Sequence, residues 1–310
     1  MCKLMWLSSL RGLLVFLVFF SHQTYLDINN NLLFIIGRVG VAGFFLISGY
    51  LVFESLKRRN NKQFCLNRFF RIYPIFWILL TITFVLCWPN FSIFDYIANF
   101  TLFNEFVGVE CIIGASWMLP IMILFFIFAA IQKRYKNMSI FFYTCSICAI
   151  IVGGIRMLTG KPFPTAIFLL IMVGALGYIH KTENSINRRI LIKLLIFEFS
   201  LIIASIMSYG FKTLYYFIAY NIGFLLFYLF EKNNIYNTML DKLGKLGFTF
   251  FLGADIPLQL IGLFLDVANW NPCCLFFIKF LFALIFAWII TNFVEDPMLR
   301  KGKQLEFLLA

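Results

Sequence analysis

The sequence predicts an all-α integral membrane protein, a single bundle of about ten transmembrane helices that forms one domain over residues 1–310. Three observations predict this class. Of the 310 residues, 62% are hydrophobic and 13% are charged, whereas about a quarter of a soluble domain is charged. Apolar runs of about 20 residues, the length that crosses a bilayer, recur along the chain. Short basic segments separate these runs, and no linker or second domain remains between them.

The apolar runs place the predicted spans in order. The first contains Arg11 and is followed by no small-residue cleavage site, so it is predicted to be an uncleaved helix and not a secretory signal. Each later run is bounded by charged or turn-forming residues. The approximate bounds are 5–25, 34–55, 70–88, 113–131, 138–155, 164–179, 190–209, 213–230, 246–265 and 274–294.

The basic residues predict the orientation. If the amino terminus is cytoplasmic, 21 of the 26 Lys and Arg residues fall in segments on the cytoplasmic side. The long loop 89–112, on the opposite side, has no Lys or Arg. Because cytoplasmic loops are enriched in Lys and Arg, both termini are predicted to be cytoplasmic.

Charge and cysteine content exclude two other classes of function. The net charge of +12 comes from clusters between apolar runs, whereas a nucleic-acid-binding protein needs an exposed basic surface. The eight cysteines are scattered and there are only two histidines, so no converging set of metal ligands is predicted. We therefore expect no nucleic-acid partner and no metal.

Arg11 and His22 bracket the apolar run of the first span. Eleven helical steps of about 100° return His22 to nearly the same face as Arg11, about 16 Å further along the axis. Ionisable groups inside a membrane are costly and are usually functional. A guanidinium suits phosphate binding, and imidazole suits general-base catalysis. The structural alternative is that Arg11 reaches lipid headgroups and His22 bonds a neighbouring helix.

A second polar cluster begins with Ser48 and Gly49, which are small enough to allow close helix packing. Arg68 and Arg71 follow, three residues apart and therefore on one face at a helix start. A positive-inside anchor would explain their charge. It would not explain why the sequence continues as Arg71-Ile-Tyr-Pro74.

Taken in order, these motifs resemble those of membrane acyltransferase family 3. The set consists of Arg-x10-His, Phe44-Phe-Leu-Ile-Ser-Gly-Tyr50, Arg68-Phe-Phe-Arg71-Ile-Tyr-Pro74, Ser116-Trp117-Met-Leu119, Leu243-Gly-Lys-Leu-Gly-Phe-Thr-Phe-Phe-Leu252 and Phe293-Val-Glu295-Asp-Pro297. The family O-acylates bacterial surface polysaccharides and related acceptors. A typical member has ten spans with both ends in the cytoplasm, which agrees with the independent reading of the loops.

The resemblance implies roles for individual residues. Arg11 and His22 match the essential pair of the family, and Ser48-Gly49 matches its small-residue motif. Arg68 and Arg71 match its cytoplasmic Arg-x-x-Arg, which helps to hold the acyl donor, usually acetyl-CoA. Membership also implies a multi-pass protein of the bacterial inner membrane that contacts lipid, acetyl-CoA and a polysaccharide or lipid-linked glycan.

The chain departs from the family pattern at two positions. Met122 stands where the family commonly has an acidic residue, and Ala254 stands where it often has a histidine. Asp255 is the best candidate for the missing catalytic carboxylate, because it is predicted to lie inside the ninth span. The structural alternative is that Asp255 pairs with Lys279 or with backbone donors.

The predicted function is O-acyl transfer, most simply O-acetyl transfer, from acetyl-CoA to a hydroxyl of a cell-surface polysaccharide such as O-antigen, capsule or exopolysaccharide. His22 would act as general base or carry the acyl group transiently. One alternative is a transporter of a glycan or lipid intermediate. Another is a relative that binds without catalysis, and a third is the same chemistry on peptidoglycan, a lipid or a secreted metabolite.

Overall fold

The computed structural model describes residues 5–26, 28–135, 210–262 and 270–308, together with isolated positions between 147 and 207. Within those residues every regular element is a helix and none is a strand. The α-helices, numbered here in chain order, are α1 Met5–Ser21, α2 Asn30–Arg58, α3 Asn61–Leu86, α4 Ile93–Phe100, α5 Met118–Tyr135, α6 Thr213–Asn233, α7 Thr238–Gly253, α8 Ile256–Gly262, α9 Pro272–Ile290 and α10 Asp296–Leu308.

Five helical segments of the described chain are long and apolar enough to cross a membrane, namely Asn30–Leu56, Asn61–Leu86, Gly114–Ile131, Thr213–Asn233 and Pro272–Leu308. The last runs from α9 through a π-helical segment, Thr291–Glu295, into α10. A shorter apolar helix, α1, corresponds to the predicted first span. The all-helical membrane class is therefore confirmed. The count of ten spans, the cytoplasmic termini and the single domain stay predictions, and spans 138–155, 164–179 and 190–209 fall outside the continuously described residues.

Two predicted boundaries are wrong. The basic segment 56–71, expected to be mostly loop, is helical except at Arg59 and Asn60. Asn60 starts α3 with a capping box, in which its side chain accepts from Gln63 N and the Gln63 side chain accepts from Asn60 N. The predicted span 246–265 is interrupted by a turn at Ala254 and Asp255, between α7 and α8. Asp255 thus lies at a helix break and not inside a continuous span.

Helix α1 lies within the bundle and packs against α2, α6 and α7. Its closest neighbour is α7, because glycines occupy the crossing on both helices. A Cβ on Gly12 would overlap the Leu240 carbonyl, and one on Gly244 would overlap the Ser8 carbonyl. The two backbones therefore meet without intervening side chains, as small residues permit in membrane helix pairs.

The segment between α3 and α5 is organised by Asn99, whose side chain is fully buried. Its amide donates to the carbonyls of Asp95 and Glu110, at 2.9 Å each, and its Oδ1 accepts from Ile112 N at 3.0 Å. Trp77 of α3 stacks on Phe100 with ring centroids 4.5 Å apart. These contacts fix α4 against α3 and position the turn Gly114–Trp117 that precedes α5.

Candidate functional site

A large cavity, here called the basic cavity, is lined by the three arginines that the sequence singled out, Arg11, Arg68 and Arg71. Its volume is about 1380 Å³. Ser48 also lines it, with its hydroxyl donating to the Phe44 carbonyl at 2.8 Å. Gly49 is buried beside Ser48. The first span, the small-residue motif and the Arg-x-x-Arg motif therefore converge on one site.

The charges around the basic cavity are unbalanced. Two of its cations are neutralised locally, since Arg58 pairs with Glu54 and Lys245 pairs with Asp241, both at 2.6 Å. Among the described residues, no carboxylate lies within 4.0 Å of the guanidinium nitrogens of Arg11, Arg68 or Arg71. These three arginines leave an excess of positive charge that suits an anionic ligand.

Arg68 is held by aromatic rings. Its Cζ lies 5.2 Å from the Phe64 ring centroid and 4.8 Å from that of Phe126. Its Nε is buried and has no hydrogen-bond partner among the described residues. Cation–π contacts of this kind hold a guanidinium in place while leaving its N–H groups available.

Glu295 is a carboxylate at this cavity to which the sequence analysis gave no role. It is 6% exposed, and its Oε2 accepts from the hydroxyls of Thr249 at 2.7 Å and Thr291 at 3.3 Å. It acts electrostatically on both Arg11 and Arg71. Glu295 ends the π-helical segment, a local irregularity often found at functional sites. Its only signal in the sequence was its place in the closing Phe293-Val-Glu295-Asp-Pro297 motif.

A second, smaller cavity, here called the histidine cavity, is lined by His22, Arg38 and Asp255 and has a volume of about 260 Å³. Met118 and Phe251 line both cavities, so these two side chains stand between them. Met122 lines the basic cavity, and Ala254 lines the histidine cavity. Arg11 and His22, predicted as a pair, thus belong to neighbouring cavities along α1.

The orientation of His22 identifies its basic nitrogen. The side chain is exposed, one residue beyond the end of α1, and its Nδ1 lies 2.8 Å from the Val18 carbonyl oxygen. A carbonyl can only accept, so this hydrogen bond requires the proton on Nδ1. The lone pair of the neutral ring is then on Nε2, which has no partner among the described residues.

Asp255 faces the histidine cavity and is exposed. It acts electrostatically on Tyr25 and Lys279 but forms no ion pair with Lys279 within 4.0 Å. Lys279 instead lies over the Tyr25 ring, with Nζ 4.5 Å from the centroid. Burial, and then the charge of Asp255, raise the pKa of Tyr25 to about 12. The Tyr25 hydroxyl therefore stays protonated and donates to Gln23 Oε1 at 2.6 Å.

The structure is that of a helical membrane protein in which an arginine-lined cavity adjoins a cavity lined by a histidine. Comparison with protein families gives the class of this protein. A family model described as an acyltransferase domain matches residues 4–292, nearly the whole chain. The chain belongs to acyltransferase family 3 and is a membrane acyltransferase, which confirms the family predicted from the motifs. Searches of curated proteins and of solved structures found no match.

Proposed function

We propose that this acyltransferase moves an acetyl group from acetyl-CoA to a hydroxyl of a bacterial cell-surface polysaccharide or its lipid-linked precursor, in the inner membrane. The observation that carries this proposal is the junction of the two cavities. The basic cavity has three uncompensated arginines, and the histidine cavity has an unpaired Nε2, with Met118 and Phe251 between them.

The basic cavity fits the donor. Coenzyme A carries phosphates, and arginine binds phosphate through a rigid fork of N–H donors. Arg11, Arg68 and Arg71 supply these donors, and the more distant Glu295 acts electrostatically on Arg11 and Arg71 without forming an ion pair within 4.0 Å. The donor is cytoplasmic, so the proposal places the basic cavity on the cytoplasmic side, in agreement with the distribution of Lys and Arg in the sequence.

The histidine cavity fits the acceptor. Nε2 of His22 takes the proton of the acceptor hydroxyl, and the oxygen attacks the thioester carbonyl. The C–S bond then breaks, and the departing thiolate receives the proton from the imidazolium. Val18 O accepts from Nδ1–H throughout and holds the ring in position. A transient acyl-histidine would use the same Nε2 lone pair as nucleophile: the N–C bond forms as the C–S bond breaks and the thiolate leaves, and the acceptor oxygen then displaces the imidazole.

The test is transfer of label from acetyl-CoA to polysaccharide in membranes that contain the chain or its variants at equal expression. His22→Ala should lower transfer at least about a hundredfold, the usual contribution of a general base. Arg11→Ala should raise the donor KM about tenfold or more, because a charge-assisted hydrogen bond is lost. His180→Ala, which removes the other histidine of the chain, is the matched control and should leave transfer unchanged.

Full transfer by both His22→Ala and Arg11→Ala would overturn the mechanism. No label transfer by the wild-type chain, with glycan moved across the membrane, would favour the transporter alternative.

A further inference from the structure

The histidine cavity contains a cation that the proposed transfer reaction does not use. Arg38 of α2 lines it beside His22, and three aromatic rings surround the guanidinium. Arg38 Cζ lies 5.1 Å from the Phe34 centroid, 5.2 Å from that of Tyr216 and 5.6 Å from that of Trp117. The rings come from α2, α6 and the turn before α5, so three separate segments of the chain hold one arginine.

Arg38 has no counter-ion among the described residues. No carboxylate there lies within 4.0 Å of its nitrogens. Asp255 lines the same cavity, but its charge acts on Tyr25 and Lys279. Gln23, also in the cavity wall, is occupied, since its Nε2 donates to the Phe19 carbonyl at 2.6 Å and its Oε1 accepts from Tyr25.

Arg38 is half-buried and lines the cavity, so its guanidinium can reach a molecule that enters it. Charged side chains within membrane bundles are usually functional. Aromatic rings stabilise the positive charge of Arg38 but do not satisfy five N–H donors, which need oxygen acceptors. The rings also fix the plane of the guanidinium, so its fork is preorganised for a bidentate oxyanion. Three rings that hold a half-buried arginine at the wall of this cavity are explained if the cavity binds an acid.

We propose that Arg38, caged by Phe34, Trp117 and Tyr216, binds an oxyanion of the acceptor, a carboxylate or phosphate, and so places the acceptor hydroxyl beside His22. The acceptor is then an acidic glycan: either the sugar itself carries a carboxylate, or the oxyanion is the phosphate that links the sugar to its lipid. This inference rests on the proposed function for the identity of the bound molecule. The anion site itself rests only on the cage.

The experiment measures binding and not acetyl transfer. Thermal unfolding of the purified full chain in detergent is recorded with two pairs of probes: methyl glucuronoside against methyl glucoside, and geranyl phosphate against geraniol. A ligand that binds only the folded state raises the Tm. At saturation, at least one acidic probe should raise the Tm by about 2 °C or more relative to its neutral partner. The acidic probe that raises the Tm shows whether the oxyanion is a sugar carboxylate or the phosphate of a lipid-linked sugar.

Variants assign the effect to the cage. Arg38→Gln should abolish the difference between acidic and neutral probes, and Arg38→Lys should weaken it, because lysine keeps the charge but lacks the fork. Lys279→Gln is the matched control, a nearby cation over a single ring that should leave the difference intact. If Arg38→Gln does not fold, the weaker difference between acidic and neutral probes expected in Arg38→Lys tests the proposal instead.

Three results would overturn the proposal: equal stabilisation by acidic and neutral probes, an acidic effect that survives in Arg38→Gln and Arg38→Lys, or no stabilisation by either acidic probe. His22→Ala separates this proposal from the proposed function. It should lose acetyl transfer and keep the acidic-probe effect. A chain that shows the acidic-probe effect and transfers no acetyl group would retain the anion site and refute the transferase mechanism.

Discussion

His22 takes its orientation from the backbone of its own helix. Families of hydrolases and transferases commonly orient a catalytic histidine with a carboxylate side chain, and the position where the family commonly has an acidic residue holds Met122 here. The Val18 carbonyl, 2.8 Å from Nδ1, performs the orienting part of that role. It fixes the tautomer without adding a negative charge inside the protein.

Asp255 is then expected to stabilise the positive charge of the His22 ring and not to orient that ring. In the proposed mechanism the ring of His22 becomes positive, and an exposed carboxylate in the same cavity stabilises that charge. Asp255→Asn should lower kcat at least about tenfold and leave the donor KM within about twofold. Glu110→Gln, an exposed acid in the loop 89–112, is the control for loss of one negative charge. An unchanged kcat in Asp255→Asn would make Asp255 structural.

Asn99 illustrates a polar residue with a purely structural role. Its buried amide holds three backbone groups of the segment between α3 and α5. Asn99→Ala leaves those groups without a partner and should destabilise the fold by about 1–3 kcal/mol, with transfer per folded molecule unchanged. Thermal unfolding and label transfer on the same preparation test both parts. Asn90→Ala, exposed in the same segment, should alter neither measurement.

Among single residues, the sequence predicted those whose charged or polar side chains interrupt or border an apolar run. Arg11, Arg68, Arg71 and His22 all line a cavity. The Val18 carbonyl could not be predicted, because every residue has one and only the backbone geometry selects it. Arg38 falls within the predicted span 34–55, but its cage depends on Trp117 and Tyr216, which lie about 80 and 180 residues further along the chain.

Among the helices, the α1–α7 crossing is the contact that holds the two cavities in place. α1 carries Arg11 and is followed directly by His22, while α7 and its C-terminal turn carry Thr249, Phe251 and Asp255. Gly12 and Gly244 allow the two backbones to touch. A shift between these helices would move the arginine and the histidine relative to the walls of both cavities.

Adding a methyl group at the crossing should therefore disrupt both stability and activity. Gly244→Ala would overlap the Ser8 carbonyl, and since backbone cannot move aside the expected cost is about 1–3 kcal/mol or more. Gly247→Ala is a matched control on the same helix, where the new Cβ would meet Val15 Cγ2 at an ordinary 3.4 Å. Tm in detergent and the yield of folded protein are the measurements. Equal Tm values for the two variants would show that the helices can separate at little cost.

The helix boundaries show what the hydropathy pattern did not predict. Hydropathy placed the spans near 34–55, 70–88 and 274–294, and helices are present at each. However, α3 begins at Asn61, because a capping box starts the helix before the apolar run does. Charged residues such as Arg68 and Arg71 can extend a helix as well as end a span. Hydropathy alone therefore placed the start of this helix about nine residues too late, although the spacing of Arg68 and Arg71 already indicated a helix start.

For the molecule as a whole, the arrangement of the cavities determines how the substrates meet. The basic cavity, proposed for the donor, and the histidine cavity, proposed for the acceptor, adjoin at Met118 and Phe251. Methionine is flexible, and its side chain can move between packing arrangements at low cost. We therefore expect the acetyl group to reach His22 by displacement of the Met118 side chain.

A bulkier, stiffer residue at this position should block that movement. Met118→Trp should lower kcat at least about tenfold while the donor KM stays within about twofold, since the arginines are untouched. Met118→Leu, of similar volume, should retain most of the turnover. Steady-state kinetics with labelled acetyl-CoA distinguish the variants. Wild-type kcat in Met118→Trp, with the fold intact, would exclude this route.

The length of α1 has a consequence for the distance that the reaction covers. Its 17 residues span about 26 Å, less than the hydrocarbon thickness of about 30 Å. A lipid-facing helix this short would force the bilayer to thin around it. α1 instead packs against α2, α6 and α7, which reduces the surface that it can present to lipid. In the proposed mechanism the thioester and the acceptor hydroxyl would meet along this short helix, so neither would have to cross the full thickness of a membrane.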